Sequence, residues 1–356
     1  MYTISDQLIK TEKIELLDCT LRDGSYSVDF QFEEKFVVDL LGRINETPIC
    51  KVEIGHGFGV EAEKSGIKPC NIDHYKWCEI ASSVLANKSW GMFAQPEFTQ
   101  LDTVAKLCDR GMSFVRVGME PDRVPENLEY IQRATDVCEQ VYLNLMKSSA
   151  TPVNELLSLL DGVSPSIAGL YIVDSYGAML PRDVHEYVNA VRKHFSKIGF
   201  HGHNNLGMAN VNSIAAIEAG ATIVDGTLNG IGRGAGNAEI ESLAGLLTVL
   251  DTDRFDYKKL AKLAELCRVN MAAIPEDREM QVLGSVIGIH SGYFSLVEEL
   301  SAEYDTDPAR LMEVAVALAA QSPSKADMRA AARQIADCSE MQSNSHSGQP
   351  TLGGTR

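Results

Sequence analysis

The stretch Ile14-Glu15-Leu16-Leu17-Asp18-Cys19-Thr20-Leu21-Arg22-Asp23-Gly24-Ser25-Tyr26 decides the fold of this chain. Ile14–Thr20 is an apolar, strand-like run. It leads into Arg-Asp-Gly-Ser-Tyr, not into the glycine-rich turn that usually leaves the first strand of an open, doubly wound nucleotide-binding sheet. Further strands are expected at Cys50–Gly55, Ser89–Ala94, Phe114–Gly118, Gln140–Met146, Gly169–Asp174, Ile198–His203 and Thr222–Thr227. Helical spacing fills the intervals at Glu33–Arg43, Asp73–Ala86, Leu101–Arg110, Pro125–Glu139, Val153–Asp161, Pro181–Phe195, Met208–Ala219 and Ala238–Leu250. Near-continuous apolar strands alternating with helices specify a parallel sheet. Eight such units in roughly 240 residues specify a (β/α)8 TIM barrel.

After Leu250 the pattern changes. Tyr257–Ala273, Val282–Glu303 and Asp307–Ala320 read as helices with no strands between them. The expected organisation is a TIM-barrel catalytic domain over 1–250, a helical C-terminal extension over 251–338 and a Ser-, Gly- and Gln-rich tail over 339–356 without stable structure.

The 356 residues are 45% hydrophobic and 23% charged, enough to bury a large core. A formal net charge of −17 excludes a generally basic surface for nucleic acid or anionic membrane. An anionic substrate would therefore need a locally positive site. The eight cysteines include no Cys-x-x-Cys pair and read as small buried hydrophobes in a reducing compartment. Met1 to Lys13 is polar, and no apolar run approaches membrane-spanning length. The expectation is a cytoplasmic protein acting on small molecules.

In a TIM barrel the C-terminal strand ends carry the chemistry. His201-Gly202-His203 places two imidazoles on one face of a strand end. With Asp23, at the end of the first strand, they could form a three-ligand metal site with open positions. Two satisfied strand histidines are the alternative. The second strand brings Glu53 and His56, the fourth Arg116, the fifth Asn144 and Lys147, the sixth Asp174 and Ser175. Glu53, Arg116 and Asp174 suit ion pairing inside the barrel mouth as well as direct chemistry. The loop Gly230-Ile231-Gly232-Arg233-Gly234-Ala235-Gly236 could cradle a phosphate, form a lid or make a tight turn, and Asn237 after it could add an amide oxygen to a metal.

Cys19-Thr20-Leu21-Arg22-Asp23-Gly24, His201-Gly202-His203-Asn204 and Gly234-Ala235-Gly236-Asn237 together resemble the DRE-TIM metallolyases, whose catalytic domain is of the pyruvate carboxyltransferase type. Val52-Glu53-Ile54-Gly55-His56-Gly57, Asp174-Ser175-Tyr176-Gly177-Ala178-Met179 and Gly292-Tyr293-Phe294-Ser295 look most like the 4-hydroxy-2-oxovalerate aldolase branch. The resemblance runs from about Ile14 to Leu318. It implies a divalent metal, Mn²⁺ or Mg²⁺, on Asp23, His201 and His203, with Asn237 as a further or supporting ligand. It makes Arg22 the group that stabilises the enolate oxygen of a metal-chelated 2-oxo acid, and it sets Ser175 near the substrate carboxylate. Glu53 and His56 join Arg22 and Ser175 as substrate-binding candidates. Tyr293 would reach in from the extension to assist at the aldehyde end. A homo-oligomer and an acylating aldehyde dehydrogenase partner also follow from the likeness.

The implied reaction is metal-dependent cleavage or formation of a 4-hydroxy-2-oxo acid from a pyruvate-type enolate and an aldehyde. The alternative within the superfamily is a Claisen-type, acyl-CoA-dependent synthase or lyase. A Schiff base on Lys147 would be superfluous beside a metal. One departure bears on the reaction. Three residues after the aspartate, the aldolase branch carries a histidine that serves the substrate hydroxyl, and here that position is Tyr26. An ordinary tyrosine, with a pKa of about 10, is a poor base at neutral pH. Tyr26 would then donate a hydrogen bond, or pack beside the site while His56 or His290 moves the proton.

Overall fold

The computed structural model describes residues 14–250, 254–271, 277–320 and 322–346, with side chains described as far as 338. Strands β1 (Glu15–Asp18), β2 (Lys51–Glu53), β3 (Ser89–Ala94), β4 (Phe114–Met119), β5 (Gln140–Leu145), β6 (Gly169–Asp174), β7 (Ile198–Gly202) and β8 (Ile223–Gly226) close into one parallel barrel in sequence order. Closure is made by β1 on β8, with Glu15 opposite Ile223 and Asp18 opposite Gly226. Helices α1 (Glu34–Asn45), α2 (His74–Val84), α3 (Leu101–Cys108), α4 (Leu128–Val137), α5 (Val153–Leu159), α6 (Pro181–Val191), α7 (Ala209–Ala219) and α8 (Ile240–Val249) alternate with them. The expected (β/α)8 TIM barrel is what the chain builds.

The local chemistry explains the boundaries. Pro181 opens α6, where a missing N–H costs nothing, and the Asp183 carboxylate accepts from the Leu180 N–H. Gly220 closes α7 at φ 107°, returning its N–H to Ala216 and Ile217. Outward-facing strand residues such as Val52, Ile54, Leu143 and Ile172 share one core with Leu40, Leu41 and Val184 of the helices.

Inside the barrel, side chains stack in layers. At the bottom Lys51 reaches the Glu15 carboxylate (3.7 Å) and the Gln140 amide oxygen (3.0 Å), and Lys197 pairs with Glu15 at 2.7 Å. Above them Phe114, Tyr142 and Tyr171 meet edge to face, at 6.0 and 5.8 Å between ring centroids. Two strand glycines make room for this layer. A Cβ on Gly91 would stand 2.4 Å from the Phe114 ring, and one on Gly199 2.3 Å from the Tyr171 ring. Above the aromatics begins the polar layer that forms the site.

The boundary between the two compact units falls after Arg278, not after Leu250. Helix α9 (Tyr257–Asn270) is the reason, because Leu260, Leu263, Ala264 and Cys267 are buried in the barrel's own core. The second unit, Glu279–Arg356, contains α10 (Arg278–Ile287), α11 (Phe294–Glu303), α12 (Pro308–Leu318) and α13 (Lys325–His346). Its separate core gathers Met280, Val297, Leu300, Leu311, Met312 and Met328. The single helix expected over Val282–Glu303 is broken where Gly288 adopts φ +94° and the His290–Gly292 turn follows. Sequence periodicity missed α13, whose backbone carries helix through His346 into the stretch expected to lack structure. Residues 347–356 and the polar N-terminus, 1–13, lie outside the described residues. Among the described residues no single helix is long and apolar enough to cross a membrane.

Candidate active site

Six buried side chains at the top of the barrel close into a ring. The Asp23 carboxylate accepts from Arg22 Nη1 at 2.6 Å, and Arg22 Nε donates to Glu53 Oε2 at 2.7 Å. Arg116 donates through Nη1 to the same Glu53 oxygen (3.1 Å) and through Nη2 to Asp225 Oδ2 (2.6 Å). Asp225 Oδ2 accepts from His201 Nδ1 at 2.8 Å, and His201 Nε2 stands 3.8 Å from Asp23 Oδ2. Strands β1, β2, β4, β7 and β8 thus each contribute to one circuit. None of the six side chains is more than 7% exposed. Three carboxylates face two guanidiniums and one imidazole in this ring.

The electrostatics prepare a cation site. Burial alone would push the Asp23 carboxyl up. The Arg22 guanidinium, the neighbouring imidazoles of His203 and His201 and the Asn237 amide instead hold it well below the usual carboxylate range. Burial pushes His203 down to about 4, so its imidazole is neutral at physiological pH with a lone pair to give. Burial would likewise raise Asp225, but Arg116 and the His201 hydrogen bond hold it below its ordinary value. Because His201 gives its Nδ1–H to that carboxylate, Nε2 is the ring nitrogen that faces Asp23. This is how a carboxylate orients a metal-binding histidine.

Ligand atoms of Asp23, His201 and His203 all lie within 4.8 Å of one another. Asn237 is bridged to the His203 backbone and donates its amide N–H to Asp23 Oδ1 at 2.9 Å. Its amide oxygen is buried with no hydrogen-bond partner. An orphaned oxygen beside a carboxylate and two imidazoles is a mixed oxygen and nitrogen donor set suited to a divalent cation. The four residues fit the metal that the sequence motifs imply.

A profile of the HMGL-like family matches residues 13–270. The chain belongs to the HMGL-like family. It is 34% identical over 249 residues to a Mycobacterium tuberculosis protein named oxaloacetate decarboxylase, covering 67% of this chain and 73% of that one. It is 31% identical over 305 residues to 4-hydroxy-2-oxovalerate aldolase of Spirochaeta aurantia, covering 83% and 88%. In structure it resembles the carboxyl transferase domain of Rhizobium etli pyruvate carboxylase, with a TM-score of 0.74 at 15% identity, covering 93% of this chain and 61% of that one; this is a likeness of fold. These relatives make this HMGL-like chain an enzyme, a carbon–carbon lyase.

The other expected site residues fall into three groups. Arg22 lies 5.1 Å over the Phe93 ring, and of its guanidinium nitrogens only Nη2 has no partner among the described residues. Glu53 acts through two arginines, and Arg116 and Asn144 belong to the same buried layer, joined at 3.2 Å. Ser175 Oγ accepts the Lys147 N–H at 2.8 Å, keeping its own proton to donate. Lys147 itself pairs with Glu120 at 2.6 Å. Asp174 is structural: it accepts the Ala178 and Met179 N–H groups, and burial pushes it up to about 6. His56 stacks on Phe30 at 4.2 Å; its Nδ1 accepts from Phe58 N–H and its Nε2 donates to the Lys68 carbonyl. Both ring nitrogens are thus committed to the loop. Tyr293 is the N-cap of α11 and packs on the second unit's own core.

The glycine-rich loop of this HMGL-like chain is a brace for the site. Arg233 N–H goes to Asp23 Oδ1 (3.0 Å), Ala235 N–H to Asn205 Oδ1 (2.9 Å), Gly236 N–H to the Arg233 carbonyl (3.0 Å) and Asn237 N–H to the Gly230 carbonyl (2.9 Å). With these donors spent, it does not present the row of free N–H groups that a phosphate cradle needs.

Asp225 is the residue that sequence reading missed. The available signal was an aspartate inside the apolar run Ile223–Gly226. Asp225→Asn keeps the shape but removes the charge that orients His201 and balances Arg116. Divalent-metal affinity should fall about 10- to 100-fold, the usual range for such supporting groups. Calorimetric titration of the folded variant checks this, and wild-type affinity would mean that His201 is oriented by other contacts.

Proposed function

We propose that this chain is a divalent-metal-dependent aldolase that makes or breaks a 4-hydroxy-2-oxo acid, with Mn²⁺ or Mg²⁺ on Asp23, His201, His203 and Asn237. The observation that carries the reading is the orphaned Asn237 oxygen beside three preorganised ligand side chains. When bound, such an ion supplies Lewis acidity toward a 2-oxo acid. In the cleavage direction the C3–C4 bond breaks, its electron pair passes to the pyruvate enolate, and the C4 hydroxyl loses its proton. Arg22 Nη2 is the donor left for the enolate oxygen, fixed by the carboxylates that hold its other nitrogens. Ser175 Oγ–H is available to the substrate carboxylate. A relative named oxaloacetate decarboxylase fits the same electron flow, because loss of CO₂ from oxaloacetate also leaves a pyruvate enolate.

The deciding experiment follows deuterium exchange at C3 of pyruvate and pyruvate release from 4-hydroxy-2-oxo acids with Mn²⁺ or Mg²⁺ added. Exchange together with release is expected, and the absence of both with either metal overturns the reading.

Tyr26 sets how well the simplest substrate is used. Burial pushes its phenol above the ordinary value of 10, which makes it a hydrogen-bond donor and a poor base. Wild type should enolise pyruvate yet cleave 4-hydroxy-2-oxovalerate weakly, and Tyr26→His should gain cleavage several-fold, within the ~10²-fold scale of general base catalysis. Fast wild-type cleavage that survives in Tyr26→Phe would make the tyrosine a bystander.

A further inference from the structure

One cation at the mouth is not used by the mechanism above. Arg233 is held by rings rather than by an acid. Its guanidinium carbon lies 4.9 Å over the Tyr26 ring and 5.2 Å over the Phe58 ring, and Nη1 reaches the Tyr26 hydroxyl at 3.4 Å. Tyr26 in turn packs edge-on against Phe58 and Phe30, at 5.2 and 5.4 Å between centroids. Among the described residues no carboxylate lies within ion-pairing distance of the Arg233 side chain, although the chain carries a net charge of −17. The two other arginines of the site are each paired with two carboxylates.

The position of Arg233 is fixed from both ends. Its backbone N–H is hydrogen-bonded to Asp23, so the residue starts at the metal-ligand cluster. Its side chain then leans on aromatic faces, which hold a guanidinium by cation–π attraction and leave its in-plane N–H groups pointing outward. A planar fork with free edge donors is built for a carboxylate. Arg22 already serves the 2-oxo acid end. A second guanidinium on the Tyr26 side of Asp23 gives the mouth two separate anion-recognition points.

We propose that Arg233, propped on Tyr26 and Phe58, reads a second carboxylate beyond the bond that breaks, so that the substrate class is a 4-hydroxy-2-oxo dicarboxylic acid. This rests on the aldolase reading and narrows it. Cleavage then returns two 2-oxo acids: the bonding electron pair of C3–C4 passes to the C1–C3 pyruvate enolate, which takes up a proton from solvent at C3. C4, still bearing its carboxylate, becomes the second carbonyl as its hydroxyl proton passes to solvent. Tyr26, hydrogen-bonded to Arg233, is the neutral donor beside the incoming carboxylate.

The test separates recognition from chemistry. Calorimetric titration compares 2-oxoglutarate with 2-oxovalerate, which share a five-carbon 2-oxo acid skeleton and differ in the terminal carboxylate. Wild type should prefer 2-oxoglutarate by about tenfold or more, the scale of one charge-assisted fork. Arg233→Met should bring the ratio near one, and Arg233→Lys should keep part of it. Equal binding in wild type, or a preference that survives in Arg233→Met, overturns the proposal. In parallel, pyruvate release is measured from 4-hydroxy-2-oxoglutarate and 4-hydroxy-2-oxovalerate. Release from neither, with the binding preference intact and lost on Arg233→Met, would overturn the aldolase reading and leave the carboxylate-recognition role standing. Faster release from 4-hydroxy-2-oxovalerate would overturn the dicarboxylic class.

Discussion

Asp23→Asn and His201→Ala should each leave purification with divalent metal reduced to background and with lyase activity lost. Asp23 is the hub of the layer. One of its oxygens accepts from Asn237 and from the Arg233 backbone, and the other accepts from Arg22 and faces His201. An asparagine at this position would turn an amide N–H toward one of those donors and would remove the anion proposed to attract the cation. It would also strand Arg22, still bound to Glu53, beside a neutral neighbour. His201→Ala deletes a ligand nitrogen and frees Asp225, leaving Arg116 as the partner of that carboxylate. Elemental analysis of the purified proteins is the measurement, with circular dichroism to show that each remains folded. Wild-type metal content in both variants would remove this cluster as the metal site.

Arg22→Lys should lower kcat by about 10²- to 10³-fold, about 3–4 kcal/mol of transition-state stabilisation, while metal content and fold persist. The charge is conserved and the geometry is not. Arg22 forks, with Nε on Glu53, Nη1 on Asp23 and Nη2 left for substrate. It also lies over the Phe93 ring. An ammonium is a point with rotatable donors and cannot hold two carboxylates while presenting a third N–H in a fixed direction. The loss should fall on kcat more than on KM, because the enolate charge exists only as the bond breaks. Turnover like wild type in the lysine variant would exclude Arg22 from the bond-breaking step.

The barrel was legible because its strands are short, mostly apolar runs and its helices carry their own stop signals, such as Gly220 after α7. That Asp23, His201, His203 and Asn237 come together was legible because strand ends meet at one face of this architecture, whichever strands supply them. Asp225 was not, since its meaning depends on Arg116 arriving from β4 and His201 from β7. His56 was overvalued for a related reason. Composition shows an imidazole near a strand end but cannot show that Phe58 and Lys68 of its own loop consume both nitrogens. Helix α9 follows the last βα unit in sequence, but which core it joins is a tertiary fact, and it packs with the barrel. The break at Gly288 was visible only as a glycine inside a helical pattern, which helices also tolerate.

The closed circuit from Asp23 through Arg22, Glu53, Arg116 and Asp225 to His201 bears on how such an enzyme can diversify. Every member touches two others, so a lone substitution leaves a charge stranded in the interior, a cost of several kcal/mol. The energetic effects of two changes within the circuit should therefore fail to add. Drift through this layer would require concerted replacement of neighbours. Tyr26 and the Arg233 side chain lie outside the circuit, joined to it by the Asp23–Arg233 backbone contact, and can be exchanged one at a time. Single substitutions should therefore be tolerated better at Tyr26 and the Arg233 side chain than within the circuit.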